Sequence, residues 1–422
     1  MRKLNVWMAG RHVATITESR RRMTLAYAND AGQLGIPLIS VAMPIASTAY
    51  TDRVVRPYFH GLLPEGQARL MIAYDFGLDA TDDVGLLEAL GRDCAGALVV
   101  LPDDETPSGL DTREPLEQLD EHEIELRLQA LPVHPLGVTT KIRASLPGVQ
   151  SKLLLTTRDG QWCSPDAAHP STHLLKPGIA ELADSVVNEV FCMNVATRSG
   201  LRAATTTTAR FGETTVLVSQ RYDRREESDG ATARLHQEDA CQALSIMTIH
   251  PRQKYQSHGG PTLRRIADVL TQWRGSTTEL LEQITFSTLV GNADLHGKNV
   301  SFLHYGDGTV GLTPMYDVMC TTHYDGTEGL AAVDTELGLF IGRQTDILHV
   351  GIDDLVDEAT SWGMRASTAR ATITELIERV EAAIIQTRDD IEIDVPESIH
   401  DRIAKRTRDF TLVKPLPEVR PT

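Results

Sequence analysis

Gly291-Asn292-Ala293-Asp294-Leu295-His296-Gly297-Lys298-Asn299 runs into an alternating stretch at 300–303, a turn at Tyr305-Gly306-Asp307-Gly308, a second stretch at 309–312, and then Tyr316-Asp317. The alternation and the Gly-Asp-Gly turn predict two strands joined as a hairpin. In an antiparallel pair the entry of the first strand and the exit of the second lie at the same end, so Asn299 and Asp317 are expected to be neighbours in space. One amide oxygen and one carboxylate beside phosphates suit Mg2+, which takes few protein ligands and keeps its other positions for water and phosphate. Asp294, five residues before Asn299, could accept or orient the proton of an attacking hydroxyl. Lys298 could steady a transferring phosphate or simply stand on the surface, and His296 is better suited to orienting the loop than to reacting. An isolated Asp and Asn at this spacing recur by chance in loops whose turns they cap. The string, the hairpin and the second aspartate together point to ATP- and magnesium-dependent phosphoryl transfer.

A phosphate-binding loop is needed elsewhere, and neither GxGxxG nor GxxxxGKS occurs. The substitute is Ser145-Leu146-Pro147-Gly148-Val149-Gln150-Ser151-Lys152, a turn that runs into a strand at 153–155 and can present N–H groups to an anion. Alone it says little, because Pro-Gly turns before strands are common. Lys176, closing the alternating strand 172–175, is either a phosphate lysine or a solvated strand end. Glu189, on the helix that follows, could pair with it or stand exposed.

Outward from these sites the chain reads as α+β. Runs at 4–8 and 12–17 flank a hairpin turn at Ala9-Gly10-Arg11. One helix is expected over 58–74, with Pro64 near its start, and another over 81–90, with a Thr81-Asp82-Asp83 cap signal and a stop before Gly91. The Asp-, Glu- and Pro-rich stretch 102–115 reads as a linker. Beyond it come a helix at 124–131, then strands at 151–157 and 173–176 separated by Arg158-Asp159-Gly160. Next is a helix at 185–198 capped by Asp184 and ended by Gly200, followed by β character over 209–221 with a turn at Gly212. From Gln237 onward the chain is expected to be helical, interrupted by one hairpin at 300–313. This order predicts a bilobal nucleotide-binding architecture. Residues 1–105 would form an N-terminal α/β subdomain, 106–222 a β-rich lobe with the Ser145 loop, and 223–422 a mostly helical lobe with the catalytic loop and metal site.

A chain of 422 residues is too long for one ordinary core. Its net charge of -17 argues against gripping a phosphate backbone unaided. No apolar run is long enough for a bilayer and the N-terminus reads as a strand, so the expected location is the cytoplasm, with no membrane contact. The five cysteines, Cys94, Cys163, Cys192, Cys241 and Cys320, form no CxxC pair and suggest neither a disulfide framework nor a zinc site.

Several strings occur in one order: Phe59-His60-Gly61-Leu62-Leu63-Pro64-Glu65-Gly66, Ser145 to Lys152, Thr172-His173-Leu174-Leu175-Lys176-Pro177, Gln220-Arg221-Tyr222-Asp223-Arg224, Arg234-Leu235-His236-Gln237-Glu238-Asp239, Asp294 to Asn299, and Pro314-Met315-Tyr316-Asp317. With them the chain resembles HipA-type serine/threonine kinase toxins over nearly its whole length. The resemblance implies a two-lobed protein-kinase-like fold, ATP, Mg2+, and phosphorylation of a protein hydroxyl, in the best-known members on an aminoacyl-tRNA synthetase, with growth arrest as the result. It also implies a helix-turn-helix antitoxin of the HipB type, through which alone DNA would be reached. Carried over by motif, Asp294 is the catalytic aspartate with Lys298 beside it, and Asn299 and Asp317 hold the metal. Ser145, Gly148, Val149, Gln150, Ser151, Lys152 and Lys176 surround the phosphates, and Gln220 and Tyr222 belong to the adenine-contacting hinge. Ser145 matches the loop serine on which such kinases inactivate themselves by autophosphorylation. Two departures stand out. Gln220 replaces the hinge glutamate of many relatives, and Ser151 stands where the loop often has Glu, adding a second phospho-acceptor. Asp294-Leu295-His296 also resembles aminoglycoside-type kinases, so a small-molecule phosphotransferase is a rival reading; an inactive corepressor bound to a helix-turn-helix partner is another.

Overall fold

The computed structural model describes the chain except residues 34, 36, 108–115, 138–143, 149, 167, 229–230, 327–334, 392 and 411–422. Most of the expected linker and Val149 of the phosphate loop therefore lie outside the described residues. The chain forms two compact units interleaved in sequence. The first is Met1–Pro177, Thr207–Gln253 and Ser301–Gly311; the second is Gly178–Thr206, Lys254–Val300 and Leu312–Thr422.

In the first unit, Arg2–Met8 and Arg11–Ser19 pair across the Ala9-Gly10 turn, whose two residues both take positive φ, 48° and 71°. Alternation puts Leu4, Val6 and Met8 into the core. Two further strands, Arg22–Tyr27 and Leu98–Pro102, complete a four-stranded sheet. The expected single helix over 58–74 is instead two, Asp52–Gly61 and Gly66–Asp75. Pro64 lies in the break between them, where it has no N–H to continue the ladder. Asp83–Leu90 forms as expected, with Asp82 accepting the Gly85 N–H at 3.0 Å. Gly91 ends it where a Cβ would come within 2.5 Å of both Leu87 O and Val100 O, so only glycine lets the strand beyond pack this closely.

A five-stranded sheet follows, in the order Thr206–Phe211, Thr214–Gln220, His173–Pro177, Leu153–Arg158, Gln161–Cys163. The Arg158-Asp159-Gly160 turn leads into the short strand Gln161–Cys163 rather than directly to the lysine-bearing strand, which pairs with Leu153–Arg158 by returning later. The helix expected at 124–131 runs Glu121–Ala130, started by a capping box between Asp120 and Glu123. Its Ile124 and Leu128 pack on Leu153, Leu155 and Leu175.

Buried charge fastens this unit. Glu238 accepts from Ser40 Oγ at 2.6 Å, from the Val41 N–H at 2.8 Å, and from His304 Nε2 at 2.9 Å. His236 Nε2 donates to Ile39 O at 2.9 Å, and its Nδ1 accepts the Ala97 N–H at 3.4 Å, so the ring is neutral. Burial, aided by His304, pushes the His236 pKa down to about 3. An unfolded chain takes up this proton near pH 6.5, whereas the folded chain refuses it until about 3, so stability should fall as pH drops through that window. The contribution is at most about 1.4 kcal/mol per pH unit. Urea unfolding at pH 7 and pH 5 checks it: His236→Gln should flatten the pH dependence, and an unchanged slope would refute the assignment.

The second unit is mainly helical: Ser185–Arg198, Leu263–Gln272, Thr277–Val290, Ile352–Ser361, Ala366–Asp390 and Glu397–Phe410. Its core includes Phe191, Phe286, Leu376 and Phe410. Asp184 does not cap the first of these helices with its side chain: its φ is +58°, and Ser185 Oγ instead accepts the Ile179 N–H at 2.9 Å. Gly200 does follow the helix end, at φ +78°. The expectation of a single hairpin after Gln237 also fails, because Glu336–Ile341 pairs with Gln344–Asp346. In the first unit, Gln237–Asp239 adds a strand beside Ser301–His304, whose other neighbour is Val310–Leu312. All five cysteines are buried and no disulfide joins them. Among the described residues, no helix is long and apolar enough to cross a membrane.

Candidate active site

Helix Thr277–Val290 stops at Gly291, φ +77°, where a Cβ would sit 2.3 Å from Thr322 Oγ1. The chain then turns under several local bonds. Thr321 Oγ1 accepts the Ala293 N–H at 2.9 Å and donates to Gly291 O at 3.0 Å, and Asn292 Oδ1 accepts the Asp294 N–H at 3.1 Å. Strand Glu336–Ile341 closes one side: Gly338 donates to Ala293 O at 2.9 Å, and a Cβ there would meet Leu295 O at 2.6 Å. Lys254 O accepts the Gly297 N–H at 3.0 Å on another.

Within this frame Asn299 Nδ2 donates to Asp294 O at 3.1 Å, which fixes the amide and leaves its oxygen as the acceptor end. Tyr316 Oη donates to Lys298 O at 2.7 Å, tying the residue before Asp317 to the residue before Asn299. The entry of the hairpin and its exit therefore meet at this bond. Asp317 is exposed and takes φ +59°, a left-handed conformation that a non-glycine residue adopts at a cost. Farther along, Asn188 is fully buried and brackets Cys320, accepting its N–H at 2.8 Å and donating to its carbonyl at 3.1 Å. An amide oxygen, an exposed carboxylate and a nearby second aspartate make a donor set that fits a hard cation sharing its shell with phosphate and water.

Asp294 is half-buried, and its Oδ1 accepts a hydrogen bond from Tyr255 Oη at 2.5 Å. Burial pushes its pKa up, Tyr255 and the Lys254 charge pull it down, and the Asp317 charge adds to the rise. His296 is buried; burial above all, and then the Lys254 charge, hold its pKa well below the ordinary histidine value. Its Nδ1 accepts the Lys298 N–H at 3.3 Å, so it orients the loop as a neutral ring. Lys298 itself is buried rather than a surface lysine.

The nucleotide-end residues all belong to the first unit. Ser145 is fully buried on the strand Ala144–Ser145, parallel to Asp93–Cys94, and its Oγ donates to Leu62 O at 2.7 Å. Gly148 has φ +117°, Lys152 Nζ donates to Pro147 O at 2.8 Å, and Gln150 Nε2 donates to Pro177 O at 3.1 Å, one residue beyond Lys176. The loop is thus folded over its own lysine and held against the end of the Lys176 strand. Ser151 is half-buried and Lys176, opposite Leu217, is buried. Gln220 is exposed at the end of its strand, and Tyr222 Oη donates to Gln237 Oε1 at 2.5 Å. Glu189, the candidate partner of Lys176, lies instead in the second unit, where it is buried against the commoner expectation for a helical glutamate.

Sequence reading missed Tyr255 and Lys254, which reach the catalytic loop from far upstream. The available signal was the Gly259-Gly260 pair: Gly260 would place a Cβ 2.6 Å from Tyr255 O, so the pair lets the backbone fold back beneath the tyrosine.

Residues 144–384 match a family model described as the HipA-like C-terminal domain, and residues 4–101 match the HipA N-terminal domain. The Sinorhizobium fredii protein Y4mE is 35% identical, covering 92% of this chain and 93% of its own. The serine/threonine-protein kinase toxin HipA of Shewanella oneidensis is 26% identical, covering 85% and 83%. Among solved structures, the HipA chain in the Shewanella oneidensis complex of HipA, HipB and operator DNA superposes with a TM-score of 0.82 at 22% identity, over 96% of this chain and 97% of that one. The fold is therefore the kinase-like one.

Proposed function

The chain belongs to the HipA family of serine/threonine kinase toxins, and from that premise we propose that it transfers the γ-phosphoryl group of ATP to a serine or threonine hydroxyl of another protein. The observation that carries this reading is the convergence of Asp294, Asn299 and Asp317, fixed by the Asn299 bond to Asp294 O and the Tyr316 bond to Lys298 O. Asp294 takes the proton of the acceptor hydroxyl as its oxygen bonds to phosphorus and the bond to ADP breaks. Lys298, buried in the same loop, steadies the transferring phosphate. Mg2+, when bound, would be held by Asn299 and Asp317 and would offset phosphate charge. By motif, Lys176, with the loop of Ser145, Gly148, Val149, Gln150, Ser151 and Lys152, serves the phosphates, while Gln220 and Tyr222 serve the adenine, Gln220 by backbone. The proposed functional divisions, 1–105, 106–222 and 223–422, follow the order of the motifs along the chain and cut across the two interleaved units.

The acceptor is proposed to be an aminoacyl-tRNA synthetase, with arrest of translation and growth in the cytoplasm. A HipB-like antitoxin would supply the basic surface for DNA that a chain of charge -17 lacks. Ser145 is the proposed autophosphorylation site. Its hydroxyl is engaged by Leu62 O, so the loop must leave this position to be modified. The phosphate then adds about two negative charges and opposes both its return and ATP.

Labelled ATP with Mg2+ offered to a lysate and to small alcohols and antibiotics tests the reading. Label is expected on lysate protein and on Ser145, and Asp317→Ala should abolish both. Label on small molecules alone would establish the phosphotransferase reading, and none anywhere the corepressor reading. An Asp317→Ala chain with undiminished transfer would overturn the metal assignment.

A further inference from the structure

The segment ahead of helix Leu263–Gln272 comprises two short turns, Pro251–Lys254 and Gln256–His258, with Tyr255 between them. In the second unit its remainder is anchored at three points around the tyrosine. The Gly260 N–H returns to Tyr255 O at 2.9 Å, Lys254 O holds the Gly297 N–H at 3.0 Å, and Gln256 Oε1 accepts the Phe340 N–H at 2.9 Å. The catalytic loop and the strand beside it are therefore both bonded to residues flanking Tyr255. The ring meets His296 edge-on, with centroids 5.0 Å apart and planes at 86°. The hydroxyl ends on Asp294 Oδ1 at 2.5 Å.

We propose that Tyr255 is a positioning residue for phosphoryl transfer, its hydroxyl fixing one oxygen of the Asp294 carboxylate so that the other is presented to the acceptor hydroxyl. A carboxylate on a single Cβ–Cγ bond rotates freely unless one oxygen is held. A short bond from a phenol to a charged acceptor is among the stronger ways of holding it. Backbone bonds on both sides of Tyr255 fix where that phenol sits, so the orientation of Asp294 is set by the frame of the unit rather than by its own loop. In the reaction the acceptor proton goes to Asp294 Oδ2 while Tyr255 keeps its own. The inference rests on Asp294 being the proton acceptor.

Tyr255→Phe removes the hydroxyl and keeps the ring against His296. It should lower kcat by roughly 10- to 100-fold, the scale of a misoriented catalytic group, with KM for ATP and the unfolding midpoint unchanged. Tyr255→Leu, which also loses the ring, should fall no further in kcat than Tyr255→Phe. In an Asp294→Asn background, adding Tyr255→Phe should cost nothing more, because the hydroxyl acts through that carboxylate. If Asp294→Asn alone keeps full activity, the reading of the reaction fails. If Asp294→Asn is impaired while Tyr255→Phe runs at the wild-type rate, or the Tyr255→Phe loss persists undiminished in the Asp294→Asn background, this inference is overturned and the first reading stands.

Discussion

Asp294→Asn is expected to slow phosphorylation of the protein acceptor by about 10^2- to 10^4-fold, the range for loss of a positioned general base, while ATP binding and folding persist. The substitution is nearly isosteric. Asparagine can still accept the Tyr255 hydroxyl, and the backbone bonds to Asn292 and Asn299 do not involve the side chain. What is lost is the capacity to take a proton. Stability should not suffer, since burial and the Asp317 charge both disfavour a carboxylate at this point. A purified variant should therefore unfold at or above the wild-type midpoint, bind nucleotide with unaltered affinity, and leave acceptor protein unlabelled on the wild-type timescale. Retention of the wild-type rate by a folded variant would remove Asp294 from the chemistry.

What was readable in advance divides by distance along the chain. The catalytic loop, its hairpin and the convergence of Asn299 with Asp317 follow from local alternation and one turn, and these were legible. Strand Arg22–Tyr27 was not, because its turn is Arg20-Arg21, both at positive φ, 52° and 60°, with no glycine or asparagine to announce it. The helix break at Pro64 has no clear local signal, since proline is also tolerated in a first turn, and here the first turn lies farther along, at Gly66. Asp184 is a residue type that caps helices, but its left-handed backbone leaves the helix without a side-chain cap bond from it. Interleaving of the two units is invisible to any left-to-right reading. Tyr255 and Asp294 meet only through tertiary structure, and neither has a local pattern naming the other.

The same distance effect governs the largest expected loss of stability, from Asp93→Ala. Asp93 Oδ1 accepts Arg224 Nη2 at 2.8 Å and lies 3.7 Å from Arg221 and 3.4 Å from Arg234. Its Oδ2 accepts the Ser171 N–H at 2.9 Å and Oγ at 2.7 Å. Asp223, the second carboxylate, takes Arg221 at 2.9 Å and the Gly96 N–H at 2.7 Å. Three guanidinium groups thus share two buried carboxylates. The arginine charges outweigh burial, holding Asp223 at about 2 and Asp93 lower still, and burial brings Arg234 down to about 10 even with Asp93 beside it. Alanine at 93 would leave the arginines facing a single carboxylate and strand the Ser171 donors. Breaking such a buried network costs roughly 3–5 kcal/mol, a large part of the usual 5–15 kcal/mol margin. Urea unfolding should show a lower midpoint, and adding Arg234→Met to Asp93→Ala should recover part of the loss by removing one uncompensated charge. An Asp93→Ala chain within about 1 kcal/mol of wild type would mean that water reaches the cluster and screens it, and that the segment at 93–97 is held to the Arg221–Arg224 turn by packing instead of charge.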